Sequence, residues 1–339
     1  MKPLSVFLMI LAVRGVPGKA QKHCPVETVY LALSSEVRGY PANAHGSVNP
    51  CQIITGSKTG LATASSMAFG RDGYLHVAQF LTNGSVNVFP SDANGNAAPL
   101  QTLFTFTNDL VSIGVDSEQN DFVVSVRQGG RIIRLTPGPA NTQSMQVFLP
   151  PLIASSVAVD RDDHVLIGGW ETNGAAVVST FDLSGTAPSP TALQTLSLGL
   201  SLPPINIFLD APDLNIALDP ATQDLYVYTN PVDPSGEAPA IRVFAAGASG
   251  KATPIRTISG PNTGLGGPGS LGTNKIAVAA GGRLYVAEPG NRILVFQPGA
   301  KGDAAPDQII QDSVPITIGR PQGGIAVRSF QHSSRNGSK

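Results

Sequence analysis

The chain has 339 residues, including 37 glycines and 28 prolines, and its 22 basic residues nearly balance 23 acidic ones. This balance provides no long-range field to gather nucleic acid or an anionic membrane surface, which argues against polyanion binding. Short apolar segments rich in Val, Ile, Leu and Phe, separated by glycine and proline, predict strands joined by turns. We therefore expect an all-β fold.

The first residues resemble an export signal. Lys2 supplies a positive start, residues 4–13 form an apolar run, and residues 18–20 offer a small-x-small cleavage site. The run is too short to span a membrane, and Arg14 directly after it departs from the usual pattern. We predict a signal-peptide-like segment at 1–20 and a secreted or periplasmic location. The alternative is a disordered start.

The sequence contains two cysteines, Cys24 and Cys51. Disulfides therefore cannot be the main support of the fold, although an oxidising compartment would permit one bridge. The sequence leaves open whether the two cysteines pair.

A repeated apolar stretch with a small central residue organises the chain. Its six copies read SMAFG, SIGVD, SVAVD, NIALD, KIAVA and GIAVR, and their central residues are spaced by 46, 44, 59, 60 and 49 positions. One four-stranded propeller blade needs about 40 to 50 residues. The copies therefore predict the first strands of six blades.

Second and third strands follow, as in RLYVAE and RILVFQ, with the alternation of half-buried strands. The joint before the fourth strand repeats an aromatic residue, Ala-x-Gly and proline, with its glycines at positions 46, 95, 250 and 302. These glycines suit a left-handed turn, and each proline suits the start of an outer edge strand, where it blocks edge-to-edge pairing. The joints TPGPANTQ and LSGTAPSP depart from this pattern, so we expect their blades to be irregular.

One blade is split between the two ends of the chain. The N-terminal segments ETVYLAL, SEVRGYP and PCQIITG read as second, third and fourth strands without a first. The missing first strand is GGIAVRS near the C-terminus. Pairing of these strands would close the ring and remove unpaired edges. We predict one six-bladed β-propeller over 26–328, closed by this composite blade, and a disordered tail at 330–339.

The segment KIAVAAGGRLYVAEPGNRILVFQPG, with its strand, turn, strand and Gly-Asn-Arg-Ile hairpin, resembles the repeat of NHL-repeat propellers. The resemblance extends over about 26–328. It implies the fold but not one function, because such propellers include lyases, lactonases, extracellular sensor domains and binding scaffolds.

Loops that lead into first strands and loops between second and third strands meet at one mouth of a propeller channel, a common place for ligands. Their polar residues suit a polar organic ligand, a glycan or a peptide segment. The alternative is that these loop residues form a solvated rim that binds no ligand. The candidate ligand-binding residues are Arg127, Trp170, Glu171, Asp213, Asn215, Asn230, Asn274, Lys275, Glu288, Asn291 and Arg292.

Two other features carry weaker predictions. Residues 160–164 place oxygen ligands beside a histidine, but they occupy the turn between first and second strands, so turn chemistry explains them and we predict no metal there. The long insertion 199–213 is either a functional loop or an apolar plug. His76 stands where other copies have Tyr226 and Tyr285, which favours a packing role over catalysis.

No nucleophile elbow, metalloprotease helix or carboxylate pair at a defined spacing occurs. We therefore predict a non-enzymatic, monomeric binding module without a cofactor, whose partner is a small polar ligand or a protein and not nucleic acid. The alternative is a lyase or lactonase with Ca or Zn held on the axis by Asp213, Asn215, Asn274 or Glu288.

Overall fold

The computed structural model describes residues 24–80, 84–107, 109–125, 130–201, 213–230, 238–266, 275–288, 290, 292–313 and 324–328. The predicted signal-like segment 1–20 and the predicted tail 330–339 lie outside these residues. The described part of the chain forms six sheets and two short 3₁₀ turns, Pro139–Asn141 and Pro261–Thr263.

The strands of the first half are β1 (Thr28–Leu33), β2 (Glu36–Pro41), β3 (Gly46–Val48), β4 (Gln52–Thr55), β5 (Ala64–Phe69), β6 (Leu75–Gln79), β7 (Ser85–Phe89), β8 (Gln101–Phe104), β9 (Leu110–Val115), β10 (Asp121–Ser125), β11 (Arg131–Pro137) and β12 (Gln143–Phe148). Those of the second half are β13 (Ile153–Val159), β14 (Val165–Trp170), β15 (Ala175–Phe181), β16 (Gln194–Ser201), β17 (Asp213–Leu218), β18 (Leu225–Asn230), β19 (Ala240–Phe244), β20 (Arg256–Ser259), β21 (Ile276–Val278), β22 (Leu284–Glu288), β23 (Arg292–Phe296), β24 (Gln308–Asp312) and β25 (Ile325–Arg328).

Each sheet forms one blade, whose four main strands pair in antiparallel fashion. Blades 1 to 4 consist of β5–β8, β9–β12, β13–β16 and β17–β20, and blade 5 consists of β21–β24 with β3 added at its edge. Blade 6 has the order β25-β1-β2-β4, so the C-terminus supplies its first strand. The first strands of successive blades contact one another around the ring, including β25 with β5 and β21 with β25. The predicted six-bladed propeller with a composite blade is confirmed.

The hydrophobic core lies between blades. Among the described residues, six buried apolar clusters occur, one at each boundary between neighbouring blades. This arrangement follows from strand alternation, because each blade is covered on both faces and must bury both.

The small residue of each first strand lies opposite a larger residue of the second strand. The pairs are Ala68 with His76, Gly114 with Phe122, Ala158 with Leu166, Ala217 with Tyr226, Ala277 with Tyr285, and Ala326 with Tyr30. The small partner leaves room beside it for the larger side chain. Blade 3 alone among these six has an aliphatic residue, Leu166, at the second position.

The repeated joints link each blade to the one before it. Gly95, Gly250 and Gly302 form parallel bridges with the outer strands of blades 6, 3 and 4, respectively, each through two backbone hydrogen bonds. Gly46 begins β3, which also pairs in parallel, with β24 of blade 5. All four glycines have φ between 59° and 76°, so the predicted left-handed turn is confirmed. The joints therefore cover part of each neighbouring edge, a role that the sequence pattern did not reveal.

The two joints without the repeated pattern contact the preceding blade in other ways, while blades 2 and 3 keep four antiparallel strands. In blade 2 the joint contains the 3₁₀ turn, and the side-chain amide of Gln143 accepts from and donates to the backbone of Phe104 at 2.7 and 2.6 Å. In blade 3 the carbonyl of Pro188 accepts a hydrogen bond from the backbone of Leu149. Both joints contact the preceding blade, but without the glycine bridge.

A disulfide and an ion pair hold the N-terminal part of the composite blade. Cys24 forms a disulfide with Cys51, which joins the N-terminal segment to the start of β4. The guanidinium of Arg38 forms an ion pair with Asp312 of blade 5, and the hydroxyl of Tyr40 donates to the same carboxylate at 2.8 Å. The open question of cysteine pairing is thereby answered in favour of a bridge.

Candidate functional site

The first candidate site is the channel mouth at blades 4 and 5, where β18 and β22 end and where β17 and β21 begin. Asp213 and Asn230 are direct partners in the pairing of β17 with β18. Asn215 lies two residues further along β17, and its side-chain oxygen accepts a hydrogen bond from the backbone of Lys275 at 2.9 Å. Glu288 and Arg292 face each other across the β22–β23 hairpin. Six predicted residues therefore lie at the same end of two adjacent blades.

Three of these side chains are buried. Lys275 and Glu288 are each 5 % exposed and Asn215 is 3 % exposed. The ammonium of Lys275 lies 5.9 Å from the ring centroid of Tyr228, within the range of a cation–π contact. One carboxylate oxygen of Glu288 accepts a hydrogen bond from the backbone of Gly266 at 3.3 Å. A buried cation and a buried carboxylate thus flank the mouth.

Trp170 and Glu171 lie at the corresponding end of blade 3. Trp170 is 3 % exposed and packs in the apolar layer between blades 3 and 4. Among the described residues, its indole nitrogen has no hydrogen-bond acceptor. Glu171 belongs to a turn and accepts a hydrogen bond from the side chain of Asn173 at 3.1 Å.

Arg127, Asn274 and Asn291 lie outside the described residues, as does most of the insertion 199–213. The roles predicted for all eleven residues stay predictions.

The opposite end of the ring carries the acidic turn of blade 3. One oxygen of Asp160 accepts hydrogen bonds from the backbones of Asp162 and His164, each at 2.9 Å, and its other oxygen lies 3.1 Å from the imidazole of His164. Asp116 closes the matching turn of blade 2 in the same way, with bonds from the backbones of Glu118 and Asn120. The turn chemistry predicted from the sequence is present, although donor atoms of Asp160, Asp162 and His164 also lie within 4.8 Å of one another.

A cavity of about 450 Å³ lies beside this turn, between blades 3 and 4. Its apolar walls include Leu166, Leu196, Leu218 and Leu225, and polar residues of both blades surround them. We did not predict this cavity from the sequence. A signal existed, because Leu166 is smaller than the rings at the equivalent positions of the other five blades.

His76 occupies the equivalent position in blade 1 and is 2 % exposed. Its Nδ1 atom lies 2.7 Å from a carboxylate oxygen of Asp121 in blade 2. Burial lowers the pKa of His76, but the Asp121 carboxylate outweighs burial and raises that pKa above its usual value. The predicted packing role is confirmed, since the imidazole joins two blades inside the core.

Known proteins resemble this chain in fold and not in sequence. No family model and no curated protein matches the sequence. A Bacteroides caccae protein of unknown function is 10 % identical, with a TM-score of 0.55 over 89 % of this chain and 98 % of that chain.

Two further solved structures are similar in fold. The Cps50 (Swd1) β-propeller domain of Myceliophteria thermophila is 8 % identical, with a TM-score of 0.50 over 94 % of this chain and 99 % of that chain. A candidate 6-phosphogluconolactonase of Bacteroides fragilis is 13 % identical, with a TM-score of 0.50 over 89 % and 98 % of the two chains.

At these identities the likeness concerns fold alone, and it agrees with the blade architecture. The chain is a six-bladed β-propeller. Within the described residues, no helix is long and apolar enough to cross a membrane.

Proposed function

We propose that this protein is an exported, non-enzymatic propeller of the NHL-repeat type that binds a small polar ligand, a glycan or a protein partner at the mouth of blades 4 and 5. The observation that carries the proposal is the pair of buried charges, Lys275 and Glu288, at this mouth. Burying a charge is energetically costly unless the charge is compensated, so two buried charges in one region normally have a structural or functional role. Both lie at the end of blades 4 and 5 that also carries Asn215 and Asn230.

The chemistry of the cluster favours binding. An ammonium, a carboxylate and the amide of Asn215 offer donors and acceptors in a dry setting, where each hydrogen bond to a ligand is strengthened. The imidazoles of His76 and His164 instead contact aspartates of the core and of a turn. These two imidazoles are thus engaged away from this mouth.

The disulfide supports an extracytoplasmic location, secreted or periplasmic, because such bonds persist in oxidising compartments. The balanced charge supports a partner other than nucleic acid. We propose a monomer that needs no cofactor.

The experiment is a thermal-melting screen of the purified chain against neutral sugars, uronic acids, amino acids and short peptides. A ligand present at 100 times its Kd stabilises the folded state by about 2.7 kcal/mol. We expect the stabilisation to vanish in Lys275→Met and Glu288→Gln but to persist in Lys301→Met, which alters an exposed lysine. A ligand whose effect survives both mouth substitutions would contradict the location, and a screen without any stabilising compound would contradict the ligand class.

The metal-dependent lyase or lactonase stays the alternative and requires a separate measurement. Elemental analysis of protein purified without chelator, together with melting in the presence of EDTA, distinguishes the two. Stoichiometric calcium or zinc whose removal lowers the melting temperature would favour the enzyme, because a metal bound to the native state must stabilise it.

A further inference from the structure

The cavity between blades 3 and 4 has a specific structural origin. At the equivalent level of the other blades, the second strand carries Tyr30, His76, Phe122, Tyr226 or Tyr285. Blade 3 carries Leu166 there, followed by Thr180 on the third strand and Gln194 on the fourth. These three side chains line the cavity. Leu166, standing where other blades carry a ring, therefore accounts for part of this space of about 450 Å³.

Blade 4 shows what a filled position looks like. The ring of Tyr226 lies 5.3 Å from the guanidinium of Arg256, which also donates to the tyrosine hydroxyl at 2.5 Å. That hydroxyl in turn lies 3.4 Å from the carbonyl of Gly282 in the turn of blade 5. An aromatic ring with a cation beside it thus bridges two blades at this level. In blade 3 the equivalent positions hold Leu166 and Gln194, which supply neither a ring nor a cation.

The walls and the rim of the cavity have different chemistry. Leu196, Leu218 and Leu225 provide apolar walls that favour a ring over water. Asp160 and Asp162 lie at the rim, and the Asp162 side chain is exposed. Among the described residues, the Asp162 carboxylate has no hydrogen-bond donor and no ion-pair partner.

The charge at the rim is net negative. Arg161 donates from its guanidinium to the carbonyl of Ala221 at 2.8 Å and is held against blade 4. Arg71 contacts the backbone of Arg161 at 2.9 Å and the carboxylate of Asp163 at 3.0 Å. With Asp163 and Arg71 included, three carboxylates face two guanidiniums at this turn, and an incoming ammonium is favoured over an anion.

We propose that this cavity is a binding site for a small aromatic amine, whose ring packs on the leucines and whose ammonium bonds to Asp160 and Asp162. A volume of about 450 Å³ lies within the range typical of small-molecule sites. The ligand supplies a ring and a cation, the two groups that the neighbouring interface between blades 4 and 5 draws from Tyr226 and Arg256. The site lies on the turn face and is independent of the function proposed for the channel mouth.

The test is calorimetric titration of the intact chain with tryptamine and, separately, with indole-3-propionate, which has a similar ring but an anionic tail. We expect saturable binding of tryptamine and at least tenfold weaker binding of the propionate. Asp162→Asn should weaken tryptamine binding about tenfold, because one charge-assisted hydrogen bond is lost. Its matched control is Glu118→Gln, an exposed carboxylate in the same turn of blade 2, which should leave binding unchanged.

A second variant tests the volume. Leu166→Tyr restores the ring that other blades carry, so it should abolish tryptamine binding while circular dichroism retains the β signature. Asp162→Asn lies at the surface and keeps the proposal testable if Leu166→Tyr does not fold. Equal affinity for the two indoles, unchanged binding in either variant or the absence of tryptamine binding would overturn the proposal. Displacement of tryptamine by stoichiometric zinc chloride would assign the carboxylates to a metal instead and would also overturn it.

Discussion

The ion pair between Arg38 and Asp312 offers a test of how the ring is closed. It connects β2 of the composite blade with β24 of blade 5, and its side chains are 9 % and 0 % exposed. Replacing Arg38 with leucine removes the cation and leaves a buried carboxylate with the Tyr40 hydroxyl as a remaining donor. Breaking one side of a buried pair costs about 3 to 5 kcal/mol, and Tyr40 places the expected loss near the lower value.

Urea unfolding followed by tryptophan fluorescence and circular dichroism measures this loss directly. For a chain of 339 residues, about 3 kcal/mol corresponds to a fall in melting temperature of roughly 4 °C. The matched control is Arg71→Leu, because Arg71 pairs with Asp163 at 3.0 Å while the two side chains are 50 % and 36 % exposed. An exposed pair of this kind contributes at most about 1 kcal/mol.

A double variant distinguishes the free energy of the ion pair from the free energy of lost side-chain packing. Arg38→Leu combined with Asp312→Leu removes both charges, so it should be more stable than the sum of the two single losses implies. The reasoning is refuted if Arg38→Leu and Arg71→Leu destabilise equally, or if the two single losses at the buried pair are additive.

Three further predictions concern the links between blades. The pKa of His76 is raised in the folded state, so its contribution to folding stability is fully present below about pH 6.5 and is lost as the pH rises through the raised pKa. The melting temperature should therefore fall between pH 6 and pH 9, and this fall should be absent in His76→Gln. Gly95→Ala should cost about 1 kcal/mol in urea unfolding, because φ is 59° and no atom blocks a methyl group. Gly185→Ala, which has equal space and no left-handed backbone, should cost much less, and equal losses would contradict the strain argument. Reduction of the Cys24–Cys51 bridge, which spans 27 positions, should lower stability by about 3 kcal/mol, and an unchanged melt in dithiothreitol would contradict a structural role.

The sequence predicted the architecture well for a physical reason. Strand alternation and turn glycines are local properties, and six copies of the same unit repeat them, so errors in one copy are corrected by the others. The composite blade was predictable in the same way, because the N-terminal segments lacked a first strand and the segment around Ala326 lacked the rest.

The candidate site was predicted only in part. Local order along the strands indicated that Asn215, Lys275 and Glu288 share one end of the propeller, and the structure places them there. It did not indicate that they are buried, because burial depends on neighbouring blades and loops distant in sequence.

The sequence by itself determined the number of blades, the order of their strands and the left-handed glycines, since these follow from short-range periodicity and backbone sterics. The tertiary structure decided the contacts between blades: the bridges made by Gly95, Gly250 and Gly302, the ion pair that closes the ring, and the cavity at Leu166. Each of these depends on which side chains of two blades meet at one level. That meeting is set by the packing of whole sheets, which no pattern within one repeat encodes.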